Sequence, residues 1–264
     1  MFQKNQTDLR KDICEIGRRV WQRGYVAYND GNISIRLDQN HVLATPTGVS
    51  KGFLSPDMLC VVDLEGRQID GHLKVSSEIL MHLTMYRERC DIGAVVHVHP
   101  PYCTAFAVAG EALDQPTLPE FVVALGKVPL APYGAPSTPE LGETVLPYVK
   151  DHDVFLLANH GALALGSDVY EAYHRMETLE QSSMIMFLAR MLGRQNVIPS
   201  ADLGHLESMR ERMGLTFPRD CLTFPPGSSS PVRRQTEVDE AQIEAVVRRV
   251  AERLIQEMGR EGGN

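Results

Sequence analysis

The chain has 264 residues, of which 43% are hydrophobic and 23% charged, and a formal net charge of −8. That is enough apolar material for one sizeable core, while the acidic balance argues against nucleic acid as the main partner, because backbone phosphates are held by clustered Lys and Arg. No apolar run approaches the ~20 residues that cross a bilayer, and the opening MFQKNQTDLRKDICEIGRR lacks the apolar centre of a secretory signal.

In chain order, Leu9, Ile13, Ile16, Val20 and Trp21 recur at helical spacing over residues 8–23, with Thr7 as cap and Gly24 as stop. Asn29-Asp30-Gly31-Asn32 reads as a turn, and Ile33–Arg36 alternates like a strand. Val42–Ala44 and Leu59–Val62 are further strands, separated by Thr45-Pro46-Thr47-Gly48 and Ser55-Pro56-Asp57. Ser76–Arg89 reads as a helix that begins at a serine cap. Ala94–Val98 is a β-branched strand stopped by Pro100-Pro101, and Tyr102–Val108 opens another helix. Residues 114–141, rich in Pro and Gly, read as loop with short strands. Val154–Ala158 and Ala162–Leu165 are strands around Asn159-His160-Gly161, and Val169–Leu192 is a long helix. Interleaved strands and helices give an α/β class.

The composition changes after residue 216. Residues 217–238, with Pro225-Pro226-Gly227-Ser228-Ser229-Ser230-Pro231, read as a linker. Residues 239–258 carry an apolar stripe (Ile243, Val246, Val247, Val250, Leu254, Ile255) opposite a mixed-charge face. A helix that short needs a surface to cover its stripe. Membrane binding does not suit it, since it lacks aromatics and its polar face is mixed in sign. Cys14, Cys60, Cys90, Cys103 and Cys221 are scattered without a CxxC pair, so the expectation is reduced thiols in a cytoplasmic protein.

His97-Val98-His99 is the sharpest local feature. Alternate residues of a strand point the same way, about 6–7 Å apart, so two imidazoles there can share one cation. A strand-end histidine can equally bond a backbone carbonyl, so the pair alone does not decide. His160, after another strand and before a glycine that permits a tight turn, could supply a third ligand, and three histidines with an open position suit catalytic zinc. Glu78 could be a fourth group. Ser76 and Ser77 open a predicted helix, where free N–H groups favour a phosphate, although Ser76 can also act as a plain cap. Lys51 either adds charge nearby or is an exposed loop lysine.

Six segments in order resemble the class II aldolase/adducin family: Gly31-Asn32-Ile33-Ser34, Thr45-Pro46-Thr47-Gly48, Ser76-Ser77-Glu78, Ala94-Val95-Val96-His97-Val98-His99, Val128-Pro129-Leu130-Ala131-Pro132-Tyr133 and Leu156-Leu157-Ala158-Asn159-His160-Gly161. The resemblance implies a three-layer α/β/α fold with a central, largely antiparallel sheet over residues 1–216. It implies one Zn²⁺ per subunit on His97, His99 and His160, with Glu78 touching the metal and moving the substrate proton. It implies a phosphate pocket of Asn32, Thr47, Gly48, Ser76 and Ser77. It implies homotetramers with sites at subunit interfaces. The implied reaction is cleavage of a ketose 1-phosphate of the fuculose or rhamnulose type to dihydroxyacetone phosphate and an aldehyde such as lactaldehyde. Alternatives on the same site are an epimerase or decarboxylase of a related sugar acid phosphate, or a non-catalytic adducin-like protein. One departure stands out: Phe121 falls near the tyrosine that serves the family's aldolases as acid, leaving Glu120, Tyr133 or water to substitute. The tail resembles the encapsulation peptides that dock enzymes on bacterial microcompartment shell proteins; the alternative is packing on its own oligomer.

Overall fold

The computed structural model describes residues 4–217 together with 219, 221 and 222. The candidate tail helix at 239–258 and nearly all of the linker at 217–238 lie outside the described residues. Helix α1 (Gln6–Gln22) buries Ile13, Ile16 and Val20 along one stripe, as the spacing predicts. Its cap is Asn5 rather than Thr7: the Asn5 side chain accepts from the Asp8 N–H. There follow β1 (Asn32–Arg36), β2 (His41–Ala44), β3 (Cys60–Asp63), β4 (Gln68–Asp70), α2 (Ile79–Glu88), β5 (Ala94–Val98), α3 (Pro101–Ala109), α4 (Pro119–Ala124), β6 (Leu130–Ala131), α5 (Pro139–Glu143), β7 (Val154–Leu157), β8 (Gly161–Gly166), α6 (Val169–Met191) and α7 (Ser200–Arg212).

The strands form one sheet in the order β4-β3-β2-β1-β5-β8-β7-β6. Every pairing is antiparallel except β6 with β7. Strands β5, β7 and β8 are buried along their whole length, which requires cover on both faces. Their alternate residues divide between two cores. Ala94, Val96, Val98, Leu156 and Ala164 join the core under α1, α3, α4 and α6. Val95, Phe155, Leu157, Leu163 and Leu165 join the core under α2 and α5. The fold is thus the three-layer α/β/α arrangement expected.

The same alternation positions the site. On β1, Ile33 and Ile35 enter the first core, which turns Asn32 and Ser34 toward α2. Asn32 is paired with His97 on β5, and His97 with Leu163 on β8. A polar line of Asn32, Ser34 and His97 therefore runs across the face that α2 covers. Ser34 bonds there to His82 Nδ1 at 2.7 Å and to the Tyr86 hydroxyl at 2.9 Å.

Three sequence expectations change, and one helix was not expected at all. Helix α2 starts at Ile79, not Ser76, because Ser76–Glu78 forms a turn closed by the Ile79 N–H on the Ser76 carbonyl. Part of the 114–141 stretch is helical (α4 and α5), each helix opening with proline in its first turn. Helix α7 lacks a clear apolar stripe, and no residue of it is buried, so no periodic signal announces it. Cys90 and Cys221 are not reduced thiols: their sulfurs are bonded at 2.01 Å across 131 residues of sequence, a pairing that no spacing rule predicts.

Candidate metal centre and anion cleft

His97 lies inside β5 with its side chain fully buried, His99 follows at the strand's end, and His160 sits in the turn between β7 and β8. Two glycines let these backbones meet. A Cβ on Gly161 would stand 2.5 Å from the His99 ring, and one on Gly31 would stand 2.8 Å from the His97 carbonyl. Asn159, which introduces His160, takes the left-handed conformation at φ 57, one that asparagine tolerates better than most residues.

The three rings converge. Ligand nitrogens of His97, His99 and His160 all lie within 4.8 Å of one another. His97 Nδ1–H donates to the Ala162 carbonyl at 2.9 Å, which fixes the tautomer and leaves Nε2 as a bare acceptor. That Nε2 lies 3.2 Å from His99 Nε2. Two such nitrogens turned on each other, without a carbonyl or hydroxyl between, suit a shared cation better than a hydrogen bond. Burial pushes the His97 imidazole well below its ordinary value and also lowers His99, so both stay neutral, the form a metal requires.

Glu78 completes the group from the turn before α2. Its carboxylate lies 3.4 Å from His97 Nε2 and 3.2 Å from His160 Nε2, and accepts from Asn32 Nδ2 at 2.7 Å. Burial pushes this carboxyl up, but His97, His160 and the Asn32 amide overcome that and hold it below the usual carboxylate range. Its neighbours remain incompletely satisfied: Asn32 Oδ1 and His160 Nδ1 are buried without partners. Three convergent imidazoles, an adjoining carboxylate and buried polar atoms left over describe a site built for a ligand, and the residues fit a divalent metal of the zinc type.

A cleft of about 160 Å³ adjoins this group. Asn32, Thr47, Ser76, Ser77, Glu78 and His99 line it, so six of the residues expected around a phosphate and a metal share one cleft. Gly48, at φ 74, shapes the turn beside Thr47. Three further residues line it: Asp30 and Ser137 were not legible as site residues, and for Lys51 the sequence left two alternatives. Asp30 stands 3.7 Å from His99 Nδ1. Ser137 donates to the Ser77 hydroxyl at 2.8 Å from 60 residues away. Lys51, one of the two sequence alternatives for which was an exposed loop residue, is only 1% exposed and lines the cleft. The candidate acids fare differently. Phe121 is fully buried in the core under α4, Glu120 is exposed beside it, and Tyr133 is 58% exposed, with none of the three lining the cleft.

Over residues 11–187 the chain matches the family described as Class II Aldolase and Adducin N-terminal domain. It is 38% identical to the 3-oxo-tetronate 4-phosphate decarboxylase of Haemophilus influenzae over 188 residues, covering 69% of this chain and 89% of that protein. It is also 38% identical to the L-fuculose phosphate aldolase of Methanococcus maripaludis, over 69% of this chain and 97% of that one. Among solved structures it resembles YgbL of Escherichia coli, a candidate aldolase/epimerase/decarboxylase, at TM-score 0.71 and 32% identity, over 77% of this chain and 99% of YgbL.

Proposed function

Since the chain belongs to the class II aldolase and adducin family, we propose that it is a metal-dependent carbon–carbon lyase that decarboxylates a phosphorylated 3-oxo sugar acid to dihydroxyacetone phosphate and carbon dioxide. The observation that carries this reading is the position of Glu78, in contact with two of three convergent imidazoles at one end of a cleft lined with hydroxyl and amide donors. In a 3-oxo acid the bond to the carboxylate breaks when its electron pair can pass into the neighbouring ketone. A divalent cation such as zinc, held by His97, His99 and His160, would supply the Lewis acid that takes up the resulting charge.

The chain's own groups do the rest. Asn32, Thr47, Gly48, Ser76 and Ser77 hold the phosphate with neutral donors. Asn32 also orients Glu78. Burial is the one influence that raises the Glu78 carboxyl, so a substrate that took over its contacts with His97, His160 and Asn32 would favour the protonated form. Glu78 then carries a solvent proton to the carbon that lost carbon dioxide. The balance is one carboxylate lost, one proton gained and the phosphate untouched.

Aldol cleavage of a ketose 1-phosphate, as the fuculose-phosphate relatives suggest, would yield the same enediolate. It also needs a second acid–base group at the hydroxyl that becomes the aldehyde. Decarboxylation needs none, and Phe121, Glu120 and Tyr133 are not among the residues of this chain that line the cleft. That favours carbon dioxide as the co-product, with fuculose 1-phosphate the second substrate to try. Assay of the zinc-loaded protein on 3-oxo-tetronate 4-phosphate should give carbon dioxide and dihydroxyacetone phosphate in equal amounts. Release of an aldehyde from fuculose 1-phosphate at a greater kcat/KM would replace this reading with the aldolase.

The exposed apolar side chains at the end of α6, Ile185, Phe187, Leu188, Met191 and Leu192, support a homo-oligomer, a tetramer by family likeness. Docking of residues 239–258 on shell proteins rests on sequence alone. Co-sedimentation of the full chain, compared with a variant lacking residues 225–264, tests it.

A further inference from the structure

Lys51 combines burial, charge and position in a way the mechanism above leaves unused. Its ammonium donates to the Asn29 and Val49 carbonyls, each at 2.8 Å. An ammonium has three donors, and no carboxylate lies within ion-pair distance of this one among the described residues. Buried cations without a counter-ion are costly and rare in protein interiors. This one borders a cleft whose other donors, Asn32, Thr47, Ser76, Ser77 and Ser137, are all neutral. The two carbonyls belong to the turns that precede Asn32 and follow Gly48, so the same side chain also ties together the two loops that face the cleft.

We propose that Lys51 is the charge-bearing specificity residue of the cleft: its third N–H and its positive charge select a dianionic phosphate monoester over the unphosphorylated sugar acid. The proposal rests on the reading above that the cleft takes the substrate's phosphate. Burial also lowers the amine to about 8, with Asp30 and Glu78 acting in the opposite direction, so the charge is within reach of ordinary pH. The helix packed on this turn, α1, brings Gly17 and Trp21 against it, neither of them charged.

The test titrates inorganic phosphate into the zinc-loaded full chain, its Lys51→Met variant and its Ser77→Ala variant. Lys51→Met should weaken phosphate about tenfold or more, the worth of one charge-assisted hydrogen bond, with zinc content unchanged. In turnover, its KM for the phosphorylated substrate should rise while kcat holds. Phosphate affinity equal to wild type in Lys51→Met, with weakening in Ser77→Ala, overturns the role of Lys51 and leaves the phosphate cleft standing. No phosphate binding by the wild type overturns the cleft reading itself. A fall in kcat at constant KM places Lys51 at the reacting carbon and also overturns the proposal. Should Lys51→Met fail to fold, sulfate serves on the wild type, since it stays dianionic across the range. Its affinity should fall as pH rises through about 8, and a flat profile contradicts the proposal.

Discussion

Two buried carboxylates in this protein each sit among nitrogen-bearing side chains, and they differ in what is left over. Asp153, beside β7, meets Arg89 at 2.9 Å, Arg175 at 3.3 Å and Arg219 at 2.6 Å. Arg89 also pairs with Asp91, and Arg175 with Glu171, so three positive charges meet three negative ones. Glu78 meets two imidazoles of a triad whose ligand nitrogens converge, with His97 and His99 kept neutral by burial. The first cluster is electrically closed and fastens α2, β7, α6 and the last described residues together. The second is open, with His160 Nδ1 and Asn32 Oδ1 buried without partners, while the first leaves a single guanidinium N–H, Arg219 Nε, unpaired among the described residues. Guanidinium cannot give up its proton and so fits the closed cluster, whereas imidazole can be neutral and so suits a metal.

The comparison predicts that damage to one cluster spares the other. Glu78→Gln should reduce turnover by about 10²–10⁴-fold, the usual worth of a positioned acid–base group, while zinc content and melting temperature hold. Unchanged activity would remove Glu78 from the chemistry. Asp153→Ala should do the reverse, because it leaves buried guanidinium groups uncompensated. A loss of about 3–5 kcal/mol in stability is expected, on the order of 10 °C in melting temperature, with kcat near wild type on the protein that remains folded. Equal losses of activity in the two variants would mean that the clusters are coupled.

Acid separates them further. His82 is fully buried beneath the site and burial pushes its imidazole down to about 4. It is neutral when folded, so below the ordinary imidazole value of about 6.5 the unfolded chain binds the extra proton. Stability therefore falls as pH drops from about 6.5 toward 4, and His82→Leu should flatten that part of a melting-temperature profile. Asp153 is held below the usual carboxylate range, with burial opposing and Arg175, Arg219 and Arg89 prevailing. Its contribution is present above the unfolded value of about 3.9 and is lost only in stronger acid. The smallest effect belongs to the exposed pair Lys11–Asp8, 3.4 Å apart, where Lys11→Ala should change stability by no more than about 0.5 kcal/mol.

The sequence exposed the metal centre more readily than the cleft. His97 and His99 announce themselves because strand periodicity is local, while His160 joined them through the ordered segments of the family resemblance, its turn then explained by the left-handed Asn159 and by Gly161. The central strands and helices α1, α2, α3 and α6 were legible from the same local periodicity, whereas β4, α4, α5 and α7 were not. Nor were Ser137, the burial of Lys51 and the Cys90–Cys221 bond. Lysine burial depends on which carbonyls the fold brings to Nζ, and Ser137 reaches Ser77 only because α5 packs on α2. Phe121 looked like a missing acid by alignment, but its burial in the core makes it a packing residue of α4.

The central claim is that Glu78 handles a proton on the enediolate of dihydroxyacetone phosphate, whatever the co-product. It is tested most directly by incubating the zinc-loaded protein with dihydroxyacetone phosphate in D₂O and following the hydroxymethyl protons by NMR. The account predicts exchange of one of the two hydrogens, stereospecifically, and loss of that exchange in Glu78→Gln. Absence of exchange in the metal-loaded wild type, or exchange undiminished in Glu78→Gln, would contradict it.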